Sequence, residues 1–109
     1  MAYQIEIENQ IRKVIKDWTG IEAKKMFGGI GFMMNGNMLT GVYKEHLVLR
    51  LGKMDYEEVI KFPFAHPFDI TGKPMKGWAL LEGQRLKPED YKHWIEKARD
   101  FVVTLPIKK

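Results

Sequence analysis

Residues 26–37 read MFGGIGFMMNGN, with three glycines in the four positions 28–31 and an Asn-Gly pair at positions 35–36. Glycine-rich loops bind phosphate when their spacing is GxxxxGK[ST] or GxGxxG and a helix begins directly after them. The segment GGIG matches neither spacing. Asn-Gly, by contrast, is a strong signal for a two-residue β-hairpin turn. The stretch therefore predicts a glycine-bearing strand that enters a hairpin, and not a phosphate-binding loop.

The turn also predicts which residues of the hairpin face each other. Uniform antiparallel pairing from a turn at positions 35–36 places Ile30 opposite Gly41 and Gly28 opposite Tyr43. Glycine weakens a strand unless something packs closely over it. We therefore expect each large side chain to cover the bare backbone of the glycine opposite, which makes the role of these glycines one of packing.

The rest of the chain supplies helices and further strands. Apolar residues recur at helical spacing in residues 4–18 and in residues 88–103, where Pro88 is a favourable first-turn residue. Residues 46–51 and 76–81 read as strands, and residues 54–62 as a short helix. Two amphipathic helices need a shared apolar face, which one antiparallel sheet can supply. The sequence therefore predicts an α+β fold of two layers, in which a β-meander plus a later strand packs against N- and C-terminal helices.

Length and composition indicate a single domain over residues 1–109. The chain is 45% apolar and has no cysteine, which excludes disulfides and sulfur-based zinc sites. The amino terminus lacks the apolar run of a signal peptide, and no segment has the roughly 20 apolar residues of a membrane span. We therefore expect a cytoplasmic protein that does not enter a membrane. Its net charge of +4 is spread over small basic pairs, as on a solvated surface.

No residue pattern points to catalysis, a cofactor or a metal. Serine, the commonest hydroxyl nucleophile, is absent. The histidines His46, His66 and His93 fall in a predicted turn, loop and helix, without the spacing of metal ligands. The acidic pairs near predicted helix starts favour the helix dipole. We therefore predict that the chain is not an enzyme and has no catalytic, cofactor-binding or metal-binding residues.

An ordered set of motifs extends over about residues 20–105. It comprises Met-Phe-Gly-Gly, Gly-Phe, a strand with an arginine, a Met-x-x-Trp element and a tryptophan in the last helix. The residues that carry it are Met26, Phe27, Gly28, Gly29, Gly31, Phe32, Arg50, Met75, Trp78 and Trp94. In this order the motifs resemble the amino-terminal domain of the TfoX/Sxy competence-regulator family. The resemblance implies an α+β fold, packing roles for the glycines and aromatic residues, and a regulatory role without catalytic residues.

The leading hypothesis is a small regulatory binding module that contacts a protein partner or a second copy of itself as a homodimer. Methionines clustered at the hairpin form an adaptable surface, and a hairpin face that two helices leave uncovered favours self-association. Nucleic-acid binding is the alternative, motivated by mild basicity, and an uncharacterised enzyme is a third reading. Lys25, Arg50 and Lys76 are the candidate contacts to a partner or an anion, because cationic side chains bind carboxylates and phosphates.

Overall fold

Three helices, six strands and one 3-10 turn are seen in the computed structural model of the chain, which describes residues 4–26, 28–68 and 77–106. In chain order they are α1 (Ile5–Ile15), β1 (Ile21–Met26), β2 (Gly29–Met34), β3 (Asn37–Tyr43), β4 (His46–Arg50), α2 (Lys53–Val59), β5 (Ala65–Pro67), β6 (Trp78–Glu82), the 3-10 turn (Gly83–Arg85) and α3 (Pro88–Val102). The start of α3 is capped, since the Lys87 N–H donates a 2.8 Å hydrogen bond to the Asp90 carboxylate.

All six strands form one antiparallel sheet in the order β1-β2-β3-β4-β6-β5. The predicted α+β fold, with a meander, a later strand and terminal helices, is confirmed. Two edge strands were missing from the prediction. The strand β1 is exposed over most of its length and shows no apolar alternation, and β5 has only three residues and ends at Pro67.

One face of the sheet forms the core with the helices. α1 buries Ile7, Ile11 and Ile15 at helical spacing, and α3 packs beside it on the same face. The buried core residues of the strands and of α3 are Ile30, Phe32, Met34, Leu39, Val42, Leu47, Leu49, Ala65, Ala79, Leu81, Tyr91, Trp94, Ile95, Ala98 and Val102. None of the helices in the described ranges is long and apolar enough to cross a membrane.

The hairpin of β2 and β3 has the predicted turn but a different register. Asn35 and Gly36 both have positive φ, 53° and 84°, as a type I′ turn requires. The pairing then shifts between Phe32 and Met33, so that one extra residue of β3 enters as a β-bulge. The predicted pairing assumed a ladder without a bulge. It is wrong by one residue, because the bulge moves each β3 partner of the residues up to Phe32 one position along the chain.

Beyond the bulge, glycines allow the two backbones to approach closely. Ile30 lies opposite Val42, and Gly31 faces Gly41. A Cβ added at Gly41 would lie 2.5 Å from the Ile30 carbonyl oxygen, and one at Gly29 would overlap the Val42 carbonyl oxygen. These glycines are therefore needed because backbone, and not a large side chain, occupies the space beside them.

Gly28 has a different role from the one predicted. It lies outside β2, in the connection from β1, and not opposite Tyr43. Its φ is +74°, which glycine adopts without strain, and a Cβ there would meet nothing within 4 Å. Conformation, and not packing, accounts for this glycine.

Candidate binding surface

The second face of the sheet points away from α1 and α3, and we call it the outer face. Strand alternation and register assign the side chains that share it. They are Glu22, Lys24, Met33, Met38, Tyr43, His46, Val48, Arg50, His66, Trp78, Leu80 and Glu82, together with Gly29, Gly31 and Gly41. The core residues of all three helices belong to the opposite face. Within the described ranges, the outer face is therefore not covered by a helix.

An aromatic row crosses the middle of the outer face. The chain leaves β5 at Phe68, whose ring centroid lies 5.9 Å from that of Tyr43 and 6.0 Å from that of Trp78. Phe68 is 4% exposed. Val48 lies between the strand positions of the two flanking rings and is also buried. Because Phe68 and Val48 are both buried, the central part of the outer face is not open to solvent.

Arg50 continues this row at one end. Its guanidinium carbon lies 5.1 Å from the centroid of Trp78 and 5.9 Å from that of Phe101. These are cation–π contacts, which hold the planar group in place while its N–H donors stay available. Trp78 itself is half-buried and belongs to the outer face, and not to the core.

A cavity of about 410 Å³ lies beside this end of the row. Its lining is mostly apolar and aromatic, with one lysine and one glutamate, and consists of Leu51, Lys53, Tyr56, Glu57, Gly77 and Phe101. Such a cavity can accept an apolar side chain whose polar end meets the charged rim. It extends the surface at Arg50 around the end of the sheet.

Methionines and glycines form the other part of the outer face. Met33 and Met38 face each other across β2 and β3, and both are half-buried. The Met38 methyl carbon would lie 3.1 Å from a Cβ at Gly41, so its side chain extends over the glycine backbone. Flexible thioether side chains over a floor without Cβ atoms can adapt to the shape of a partner.

Of the three candidate contact residues, the two that lie in the described ranges, Lys25 and Arg50, are on opposite faces of the sheet. Lys25 pairs with Ile30, a core residue, and therefore points to the helix side of the sheet. Arg50 points to the outer face, and the strands β2 and β3 separate β1 from β4. Lys76 lies outside the described residues. Lys25 and Arg50 therefore cannot contact the same side of one partner together.

The resemblance motif is divided between the core and the sheet surface. Phe32 and Trp94 are buried in the core, at 1% and 5% exposure. Gly29 and Gly31 lie in β2, and the backbone of Met26 pairs with Gly29. Phe27 and Met75 lie outside the described residues.

Strand pairing creates a histidine corner that the sequence did not predict. His46 on β4 and His66 on β5 flank Glu82 on β6, and the two imidazole centroids are 6.0 Å apart. His66 Nε2 lies 2.6 Å from Glu82 Oε2. His46 Nδ1 is buried without a hydrogen-bond partner in the described part of the chain. A cavity of about 340 Å³ opens beside this corner.

Electrostatics at the histidine corner favour a charged glutamate. The hydrogen bond with His66 lowers the pKa of Glu82 below its ordinary value, and the charges of His66, Arg85 and His46 act in the same direction. Among the described residues, no group of three or more histidine and carboxylate side chains could hold a metal ion. The corner therefore presents an ionised carboxylate and two imidazole rings that can form hydrogen bonds with a partner.

Comparison with known proteins places these features in a family. No solved structure matches the chain. The family model described as the TfoX N-terminal domain matches residues 13–102, which is nearly the whole chain. That family has no known catalytic role. The match includes every strand and all residues of the aromatic row, and the chain belongs to the TfoX N-terminal domain family.

Proposed function

We propose that this domain is a small regulatory binding module that acts through protein–protein contacts of its outer face. The observation that carries the proposal is a sheet face without a covering helix in the described ranges. A sheet face that meets water commonly exposes polar side chains, and beside its charged residues this face also carries methionines, aromatic rings and glycines. Such a composition favours a macromolecular partner over solvent.

The residue types on this face are those of protein interfaces. Tryptophan, tyrosine, methionine and arginine are enriched at interface centres, where they supply large contact areas. Arg50 stacked on Trp78 offers both a flat apolar surface and hydrogen-bond donors. The cavity beside Phe101 can receive an apolar anchor from the partner. Together these features support a protein partner with an apolar residue beside a carboxylate.

Nucleic-acid binding is the weaker alternative. It requires a continuous basic strip that neutralises several phosphates. Lys25 and Arg50 face opposite sides of the sheet, and the outer face also carries Glu22 and Glu82. This mixed charge supports a protein partner better than a phosphate backbone. Enzymatic activity finds no support in a family without a known catalytic role.

Site-specific photo-crosslinking tests the proposal. A photoreactive amino acid replaces Met33 on the outer face, and a matched control replaces Met54, which is 83% exposed on α2. We expect a defined partner to be captured at position 33 and not at position 54. The purified partner should then lose affinity for a Met33→Lys variant and keep it for Met54→Lys. Circular dichroism should show that both variants are folded.

Two results would contradict the proposal. Equal capture at positions 33 and 54 would show that the outer face is not the preferred surface. A proton–nitrogen correlation spectrum that shifts with a DNA duplex at low salt, at Lys25 and Arg50 and reversibly with added salt, would support the nucleic-acid alternative instead.

A further inference from the structure

Among the described residues, no strand pairs with the outer edge of β1. It pairs with β2 on one side and is the outermost strand of the described sheet on the other. Residues 22–25 are all exposed, so the helices do not cover this strand. An uncovered edge offers unpaired N–H and C=O groups that another strand can bind. The opposite edge strand, β5, is shorter and includes Pro67, which cannot donate a backbone hydrogen bond.

The backbone groups that face the free edge can be identified. Asn35 N–H donates a 3.3 Å hydrogen bond to the Gly20 carbonyl, directly before β1. In an antiparallel ladder, hydrogen-bonded and non-hydrogen-bonded pairs alternate from such a point. Glu22 and Lys24 therefore bond to β2, whereas Ile21, Ala23 and Lys25 direct their N–H and C=O groups to the free edge.

A second copy of the chain can pair with these groups through a two-fold axis perpendicular to the sheet. This symmetry keeps the faces of the two sheets aligned, so paired residues must lie on the same face. With the axis at Ala23, the two Ala23 residues pair, and Ile21 pairs with Lys25 of the other copy. These three pairs use only the outward-facing backbone groups and make six hydrogen bonds.

The side chains select this register. With the axis at Ala23, Glu22 lies opposite Lys24 of the other copy on the outer face, and the symmetry repeats this oppositely charged pair. Moving the axis to Lys24 would place two lysines opposite each other, and moving it to Glu22 would oppose two glutamates. Like charges in direct cross-strand pairs are destabilising, and opposite charges stabilise. Of these three registers, only the one with the axis at Ala23 places opposite charges in direct cross-strand pairs.

We propose that two copies of this domain form a symmetric dimer by antiparallel pairing of their β1 strands, with the two-fold axis at Ala23 and with Glu22 opposite Lys24. The dimer goes beyond the proposed function, because it uses the edge of the sheet at β1 and not the outer face. The sheets of the two copies become one sheet, and their outer faces become one surface. A single strand pair buries little area, so the dimer dissociates on dilution.

Charge exchange tests the register. Sedimentation velocity at low salt, from about 10 μM to about 0.5 mM, measures how far the mass exceeds the 12.8 kDa of one chain. Lys24→Glu and Glu22→Lys should each weaken the dimer at least roughly tenfold, because each replaces two attractive pairs by two repulsive ones. An equimolar mixture of these two variants should dimerise again, because every cross-strand pair is then oppositely charged.

Lys25→Glu is the matched control. It changes the net charge as Lys24→Glu does, one residue along the same strand. Lys25 lies opposite Ile21, however, so this substitution should change the dissociation constant of the dimer only a little.

Amide exchange gives a second measurement. Dimer formation should slow exchange at Ile21, Ala23 and Lys25, whose N–H groups face the edge, and leave Glu22 and Lys24 unchanged.

Three results would overturn the dimer: a mass that stays at 12.8 kDa at the highest concentration, equal effects of Lys24→Glu and Lys25→Glu, or a mixture that stays monomeric. Capture of a partner at position 33 by a chain that remains monomeric would remove the dimer and keep the proposed function. A chain that dimerises but captures no partner at its outer face would keep the dimer and remove the proposed function.

Discussion

Replacing Gly41 by alanine should destabilise the domain by about 2 kcal/mol. The added Cβ would lie 2.5 Å from the Ile30 carbonyl oxygen and 3.1 Å from the Gly31 Cα, whereas a comfortable C···O contact is about 3.3 Å or longer. Both obstructing atoms are backbone, so the strands must separate next to the bulge. Overpacking of this kind costs up to about 3 kcal/mol, and the reduced freedom of the unfolded chain offsets up to about 1 kcal/mol.

Urea unfolding followed by tryptophan fluorescence measures this change. A loss of about 2 kcal/mol lowers the urea midpoint by roughly 1 M and the melting temperature by roughly 8–16 °C. Gly52→Ala is the control, because the three atoms nearest to its Cβ would belong to the Phe101 ring, at 3.3 Å or more, and it should cost less than about 1 kcal/mol. If the free energy of unfolding of Gly41→Ala lies within about 0.5 kcal/mol of that of the natural chain, the close approach of β2 and β3 is refuted.

Three further predictions concern buried or paired polar groups. Thr40→Val should cost about 1–2 kcal/mol in urea unfolding, because the buried Thr40 hydroxyl donates a 2.6 Å hydrogen bond to the Val48 carbonyl. The depressed pKa of Glu82 stabilises the fold above the ordinary value of 4.5, so the natural chain should lose stability relative to Glu82→Gln as the pH falls through the folded pKa. Burial raises the pKa of Tyr91 to about 12, so stability should fall between the ordinary value of 10 and that pH, and Tyr91→Phe should remove this dependence.

Each of these predictions has a contradicting result. A Thr40→Ser variant retains the hydroxyl, so equal losses for the serine and valine variants would show that the hydrogen bond is not the cause. Parallel acid-stability curves for the natural chain and Glu82→Gln would contradict the pairing with His66. Absorbance at alkaline pH follows phenolate formation, and complete titration of the four tyrosines near pH 10 would contradict the burial of Tyr91.

The sequence predicted those elements whose burial follows a simple period. α1 and α3 bury residues at helical spacing, the core leucines of β4 alternate with Val48 and Arg50, and Asn35-Gly36 requires backbone angles that few other pairs adopt. The strand β1 has no such period, because an exposed edge strand places charged residues on both faces. The bulge could not be predicted either, since one extra residue leaves the apolar pattern on both sides of it unchanged.

The functional surface was less predictable than the fold. The hairpin methionines Met33 and Met38 and the predicted contact Arg50 lie on the outer face, where we propose that a partner binds. The histidine corner, however, joins positions 46, 66 and 82, and only the pairing of β4, β6 and β5 brings them together. Phe68 lies on a proline-containing loop, where sequence periodicity carries no information about which face of a sheet it covers.

The pairing of α1 with α3 on one sheet face has a consequence for synthesis of the chain. All six strands are made before α3, and the apolar side chains of β3 and β4 remain in water until α3 reaches them. The growing polypeptide therefore exposes the apolar core face of its sheet, and the unpaired edge of β1, until Val102 has left the ribosome and α3 can pack. We expect this interval, and not the finished domain, to be the time at which the protein most depends on chaperones.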